Sequence, residues 1–386
     1  MVKFTKEVLL EALGVPEGIL KSAESMYKKL IKFISEEGDN DVDDENYYFK
    51  LDGPFKINEY KIKSINLRLT FITTDNVDAI TLVSMGFSSK VRFDDVNLIL
   101  IDTNDKKNLD MSINIAIPDT ITFSELYQFI KVKDKDIISS FAHELKHSYD
   151  SVKKPSESIG DRSKYAAYTS VGVGLEAIDK FIFNLYYTTV IESLVRPTEV
   201  MSLLKQNKVK RKNFIDFLLN NETYTTLKKI YNFSLENLRM ELVKEIPRIN
   251  KILTQLNERG RYKTNEEKID RILYLTYINL GNDMGRTFQS VLSTHPFEGI
   301  FGFMDKRKDA MFNDFIKEIS KFNDNPNDFF EYEEKRFKFV SSKMMKKLSK
   351  LYAMLPEDKK SIKNWDLHQK ITKRAPIESV SIFKKD

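Results

Sequence analysis

The spacing of hydrophobic residues divides the chain into a part rich in strands and a longer part with helical periodicity. Between residues 46 and 118, short runs rich in β-branched and aromatic residues are separated by Gly, Asp and Asn, which predicts strands. These runs read YYFKLD, FKINEYKIK, INLRLTFIT, AITLVSM, VNLILID and SINIAIP. From Thr122 onward the period is mostly helical. This order of elements predicts an α+β fold with a large α-helical C-terminal region.

Helical spacing also occurs at the N-terminus and again in the C-terminal half. Residues 1–37 show it with one interruption at Gly14–Pro16. A stripe of leucine and isoleucine over 235–256 predicts a helix that is kinked or broken at Pro247. Further helices are predicted over 264–281, 306–321 and 330–354. We therefore divide the chain into an N-terminal helical segment (1–40), a central domain of strands and helices (41–205) and an α-helical C-terminal region (206–386).

Composition narrows the class of protein. The 386 residues are 41% hydrophobic and 31% charged, which predicts a soluble globular protein. The net charge of +5 is small against 62 basic and 57 acidic residues, so nucleic acid is not indicated as a partner. There is no cysteine, and any transition-metal site must therefore use histidine and carboxylates.

The sequence gives no sign of export or of a membrane anchor. Charged residues interrupt the start, MVKFTKEVLLEALG, where a signal peptide would be apolar. The most apolar segment, Phe181 to Val195, contains Asn184 and Glu192 and is too short to span a bilayer. We expect a cytoplasmic protein without a membrane partner.

Two of the four histidines, His143 and His147, stand four residues apart in SFAHELKHSYD, with Glu144 between them. The pattern predicts a helix over Asp136–Val152. One face of this helix is apolar, with Ile138, Phe141, Leu145, Tyr149 and Val152. Both histidines lie on the opposite face, which argues against a role in core packing.

This spacing suits a metal site. Side chains four apart on a helix are neighbours, so two imidazoles can reach one zinc ion. Glu144 lies about 100° around the helix from His143, too far to be a ligand as well. It can instead hold the attacking water and accept its proton.

The sequence His143-Glu144-Leu145-Lys146-His147 resembles the HExxH signature of the zincin metallopeptidases. The resemblance implies a zincin-like domain over 41–205, one catalytic Zn²⁺, and hydrolysis of a protein or peptide substrate with Glu144 as general base. The alternative is a structural protein that keeps a zincin fold. The large helical half favours this alternative, and a virion component with an assembly partner would be one example.

A third protein ligand is required. The branch written HExxHxxGxxH is excluded, because Asp150 and Lys153 occupy its glycine and last histidine places. The gluzincin branch takes a glutamate from a later helix, and the candidates are Glu176, Glu192 and Glu199.

We favour Glu199, because Pro197 suits the first turn of a helix and would place Glu199 in that turn. The stretch also resembles the proline-x-glutamate segment of uncharacterised HExxH proteins, some of them from tailed phages. Glu192 is the rival, and its alternative role is an ion pair with Arg196 at helical spacing.

Other residues carry weaker signals. Asp150 either orients a ligand histidine or is a solvent-facing acid near the helix end. An oxyanion stabiliser could come from His295, Tyr186 or Tyr187, although each is also explained by a structural role.

Overall fold

The structure is a computed structural model that describes most of the chain. The described residues are 14–42, 45–73, 80–88, 92–93, 100–101, 108–118, 121–153, 164, 167–168, 174–293, 313–318, 320–322 and 325–355.

Helix α1 (Ile19–Glu36) precedes a four-stranded mixed sheet. Its strands are β1 (Asn46–Ile57), β2 (Tyr60–Thr73), β3 (Thr81–Ser88) and β6 (Asn108–Ile117), in the order β1-β2-β6-β3. The β2 and β6 strands are parallel, and the other two pairings are antiparallel. Between β3 and β6, the two-residue strands β4 (Arg92–Phe93) and β5 (Leu100–Ile101) pair with each other.

The predicted strand boundaries were wrong between residues 47 and 73, where three predicted strands form only two, β1 and β2. FKINEYKIK, predicted as one strand, contains the tight turn of a hairpin, so its first half ends β1 and its second half begins β2. Asn58 and Glu59 form this two-residue turn, and Asn58 has a positive φ of 50° that asparagine tolerates better than most residues. Most of the VNLILID run lies outside the described residues, and only Leu100–Ile101 of it is described as a strand.

The remaining helices follow the sheet. They are α2 (Phe123–Val132), α3 (Asp134–Lys153), α4 (Glu176–Tyr187), α5 (Val190–Gln206), α6 (Phe214–Asn220), α7 (Glu222–Tyr231), α8 (Leu235–Lys244), α9 (Ile246–Gln255), α10 (Asn265–Ser293) and α11 (Pro326–Ser349). Short 3₁₀ turns occur at Arg211–Asn213 and Lys350–Met354. The predicted break at Pro247 separates α8 from α9, and the proline stands in the first turn of α9. None of the described helices is both long and apolar enough to cross a membrane.

One face of the sheet is packed and the other is polar. On β2, buried residues such as Leu67 and Leu69 alternate with exposed ones such as Arg68. Helix α1 packs on this sheet through β1, and it also contacts α2 and α3. Helix α5 then packs on α3, so α3 lies between α1 and α5.

The predicted α+β class, with a large helical region, is confirmed by this architecture. The division into three segments, with boundaries at 40/41 and 205/206, stays a prediction.

Candidate metal centre

The histidine face of α3 is covered by another helix. His143 and His147 are only 7% and 8% exposed, because α5 packs against this side of α3. The sequence correctly placed the histidines opposite an apolar face. It did not show that both faces are buried, because the helix that covers the second face begins more than forty residues later in the chain.

Helix α5 brings a carboxylate to the two imidazoles. Its N-cap is Thr189, whose hydroxyl accepts a hydrogen bond from the backbone N–H of Glu192 at 3.3 Å. Glu192 therefore lies in the first turn of α5, where it is fully buried and faces α3.

Three potential ligand atoms converge between α3 and α5. His143 Nε2 and His147 Nε2 are 3.0 Å apart. Glu192 Oε1 lies 3.3 Å from His147 Nε2, and Glu192 Oε2 lies 3.7 Å from His143 Nε2. Ligands about 2.0–2.1 Å from a tetrahedral ion are about 3.3 Å apart from one another, so the spacing fits a small cation. We call His143, His147 and Glu192 the metal-ligand group, since these residues could hold a metal ion.

The third member of this group is Glu192, in the place that the sequence analysis gave to Glu199. The prediction assumed that Pro197 begins a helix. In fact α5 begins at Val190, and Pro197 is inside it. The first-turn carboxylate is consequently Glu192, and Glu199 lies two turns further along the same helix.

Glu199 instead contacts the far side of one imidazole. His143 Nδ1 donates to Glu199 Oε2 at 3.2 Å. The other carboxylate oxygen, Oε1, accepts a hydrogen bond from the Thr223 hydroxyl at 3.1 Å. A carboxylate at this position fixes the tautomer and the orientation of a histidine, so that its Nε2 lone pair is available to a metal.

Arg196 lies between the two carboxylates. Its Nη2 is 2.5 Å from Glu192 Oε2, and its Nη1 donates to Glu199 Oε2 at 2.7 Å. The ion pair that the sequence offered as the alternative role of Glu192 is therefore present beside the metal-ligand group. The sequence analysis did not predict the contact between Arg196 and Glu199. The two residues are three apart, a spacing that also places side chains on the same face of a helix.

Glu144 is buried at the edge of the group. Its Oε1 lies 3.9 Å from His143 Nε2, and the residue is 8% exposed. Burial raises the pKa of Glu144 to about 7. The charges of Glu192 and Glu199 also raise it, whereas the charges of His143 and Arg196 lower it. The carboxylate can therefore gain and lose a proton near neutral pH.

The two imidazoles have different proton affinities. Burial alone would lower the pKa of His143, but Glu192 and Glu199 outweigh this effect and raise it to about 9. Burial lowers the pKa of His147. Without a metal, His143 is therefore the protonated histidine at neutral pH, and a metal ion must displace its Nε2 proton.

The remaining candidates lie elsewhere. Asp150 forms an ion pair with Lys146 on the same helix. Glu176 is at the N-terminus of α4 and forms an ion pair with Lys180. His295 lies outside the described residues.

The two candidate tyrosines are close to the site. The Tyr186 hydroxyl donates to Glu192 Oε1 at 3.0 Å, and the ring of Tyr187 lies 4.3 Å from the Arg196 guanidinium carbon. Tyr186 therefore touches the metal-ligand group directly, whereas Tyr187 contacts the arginine beside it.

A cleft of about 1130 Å³ opens beside Glu199. Ser139, Ser140 and Glu199 form part of its wall. The two serines lie within about one turn of His143 on α3, and Glu199 contacts His143. The start of β3 and the segment 207–222 line other parts, with apolar side chains that include Leu82 and Phe217. The described lining includes Glu199 but neither Glu144 nor any member of the metal-ligand group, so the cleft extends from the Glu199 side of His143 to one edge of the sheet.

No protein-family model matches this chain, and no curated protein or solved structure matches it. The resemblance to the zincins therefore rests on the motif residues of α3.

Proposed function

We propose that this protein is a zinc-dependent metallopeptidase in which His143, His147 and Glu192 hold the ion and Glu144 is the general base. The observation that carries the proposal is the convergence of two imidazole nitrogens and a carboxylate between α3 and α5. Two histidines and one glutamate are a frequent ligand set of catalytic zinc sites, which keep a fourth position open.

A bound zinc ion would polarise a scissile carbonyl and lower the pKa of an attacking water. Glu144 would accept the proton of that water and transfer it to the leaving amine. In the metal-free protein, burial raises the pKa of Glu144 to about 7. In the reaction the side chain would be a base first and an acid afterwards. Glu199 would hold His143 in the tautomer whose Nε2 lone pair faces the group.

The position of β3 supports a peptide as substrate. Within the described part of the sheet, β3 is an edge strand that pairs only with β6, and its first residues line the cleft. An extended peptide can add to such an edge by backbone hydrogen bonds.

The second candidate is a structural protein, as the Arg196 ion pair suggests. A guanidinium beside Glu192 gives the buried carboxylate a counter-charge without any metal. In this case the ion pairs of Arg196 with Glu192 and Glu199 serve only to join α5 to α3. The protein would then be a structural one, for example a virion or assembly component.

The first experiment is elemental analysis of protein made in zinc-supplemented medium. We expect about one zinc per wild-type chain and none in the double variant His143→Ala/His147→Ala, because two of the three ligands are then missing. His368→Ala removes a histidine outside the motif and should keep the metal. Wild-type protein without zinc would contradict the proposal at once.

The second experiment separates an enzyme from a structural protein. Peptide-library hydrolysis, measured by mass spectrometry, should fall at least about a hundredfold in Glu144→Gln while zinc stays bound, since the amide cannot accept a proton. Glu59→Gln, an exposed change in the β1–β2 turn, is the matched control. Hydrolysis that survives in Glu144→Gln would identify a contaminating protease, and a zinc-loaded wild type without activity would favour the structural alternative.

A further inference from the structure

Glu192 presents its two oxygens to different neighbours. Oε1 lies 3.3 Å from His147 Nε2 and accepts a hydrogen bond from Tyr186 at 3.0 Å. Oε2 lies 2.5 Å from Arg196 Nη2 and is farther, at 3.7 Å, from His143 Nε2. One oxygen is therefore directed to the imidazoles, while the other is occupied by a cation.

Arg196 reaches the metal-ligand group by a second route. Its Nη1 donates to Glu199 Oε2 at 2.7 Å, and the same oxygen accepts from His143 Nδ1 at 3.2 Å. The guanidinium thus connects directly to one member of the group and, through Glu199, to another. Arg196 can do so because it lies four residues after Glu192 and three before Glu199, on the same face of α5.

The guanidinium is itself held in place. It is largely buried, with a side chain 14% exposed, and it lies over the ring of Tyr187. A planar guanidinium has donors in fixed directions, so it can hold two carboxylates at once in one relative orientation. A lysine ammonium has the same charge but only one nitrogen, on a flexible stem.

We propose that Arg196 is a positioning residue that leaves only Oε1 of Glu192 for the metal and that fixes His143 through Glu199. This inference rests on the proposed zinc site. A carboxylate with both oxygens free can bind an ion through both, which adds a fifth ligand atom to the site. With Oε2 on Arg196, Glu192 contributes one atom, and a coordination position stays open for water or substrate.

The test uses cobalt(II) and zinc(II) with the full chain. Cobalt(II) reports coordination number, because four-coordinate cobalt absorbs visible light more strongly than five-coordinate cobalt. We expect wild-type protein to bind one cobalt with strong absorption. Arg196→Lys should bind cobalt and zinc at least about tenfold more weakly, because His143 and Glu192 are no longer held in place. Its cobalt absorption should be weaker, because Glu192 can then bind through both oxygens.

The matched control is Arg271→Lys. Arg271 lies on α10, away from the metal-ligand group. Its Nε and Nη2 donate to the two carboxylate oxygens of Glu258 at 2.9 and 2.6 Å. This variant should keep the wild-type affinity and spectrum. A purely structural role of Arg196 would lower the free energy of unfolding without changing the cobalt spectrum, so an unchanged spectrum and affinity in Arg196→Lys overturn the inference.

If Arg196→Lys does not fold, Glu199→Gln tests the second part of the inference, the route from Arg196 through Glu199 to His143. In this variant Arg196 should still pair with Glu192, and only the contact between residue 199 and His143 should be weakened. Binding about tenfold weaker with the four-coordinate spectrum supports the inference, whereas unchanged affinity or a five-coordinate spectrum overturns it. Wild-type protein that binds neither metal overturns the proposed zinc site itself, which is a different result from a site that binds metal and is indifferent to Arg196.

Discussion

The α3–α5 contact and the aromatic cluster around α11 are both buried, but they are built from opposite kinds of side chain. The first contains two histidines, three glutamates and an arginine. The second is formed by the rings of Phe181, Phe233, Phe329, Phe330 and Phe337, whose neighbouring centroids are 4.9–6.2 Å apart.

The two regions differ in what burial does to stability. Burial of the aromatic rings removes apolar surface from water and stabilises the fold by about 25 cal/mol per Å². Burial of the charges costs solvation free energy that their mutual attraction often fails to offset. The buried charges between α3 and α5 therefore do not by themselves indicate that this contact stabilises the fold.

The largest expected effect is on the aromatic side of this comparison. Phe330 is fully buried, with rings of Phe181 and Phe329 at 4.9 and 5.3 Å. Phe330→Ala should lower the free energy of unfolding by about 3–5 kcal/mol, measured by urea denaturation, because it leaves a cavity. Its metal content per folded chain should not change.

Phe339→Ala on the same helix is the matched control. The side chain is 49% exposed, so its removal should change stability by no more than about 0.5 kcal/mol. Equal losses from the two substitutions would contradict the assignment of the aromatic cluster as the stabilising core of the C-terminal region.

On the charged side, the two carboxylates should differ in importance. Glu192→Gln should weaken zinc binding by more than about a hundredfold, because it removes the ligand charge. Glu199→Gln should weaken it by about tenfold, because it acts only through His143. Competition with a chromogenic chelator gives both dissociation constants. The reverse order would return the third ligand to Glu199, as the sequence analysis expected.

Zinc should stabilise the folded chain by mass action. At a free zinc concentration of 100 times Kd, the free energy of unfolding should rise by about 2.7 kcal/mol, measured by thermal or urea unfolding. The same gain should appear in Phe330→Ala, since the two regions are separate and their effects should add.

The double variant His143→Ala/His147→Ala is the control for this gain. It should show no stabilisation by zinc at any concentration that leaves the wild type folded. A gain that persists in this variant would place the binding site elsewhere in the chain.

Within a single pH unit, the pH dependence of zinc binding is the smallest of these expected effects. His143 must lose its Nε2 proton to bind a metal, and its pKa is raised to about 9 in the metal-free protein. Zinc affinity should therefore rise with pH by up to about tenfold per unit between pH 6.5 and 8.5, which is about 1.4 kcal/mol per unit. Calorimetry at several pH values measures both the affinity and the protons released.

The same shift determines how the metal-free protein responds to pH. Because the folded-state pKa of His143 lies above its unfolded value of about 6.5, the folded chain binds more protons between pH 6.5 and 9. This contribution to stability is complete below pH 6.5 and is lost as pH rises toward 9. Stability of the metal-free wild type that increases over this range would contradict the assigned charge of His143.

Local patterns determined much of this protein. The α+β class, the helix that carries His143 and His147, and the break at Pro247 all follow from periodicity and from the geometry of proline. The side-chain spacing on one helix also placed both imidazoles on one face. These features depend on residues that are close together in the chain, so they can be predicted from the sequence alone.

The tertiary structure decided which acid completes the group and what surrounds it. Helix α5 begins after its cap at Thr189, seven residues before Pro197, where the sequence analysis placed the start of the helix, so Glu192 and not Glu199 stands in its first turn. That α5 covers the histidine face, and that Arg196 joins both carboxylates there, depends on the packing of helices distant in sequence. Spacing along one helix fixes which side chains share a face, but only the contact between helices fixes what that face meets.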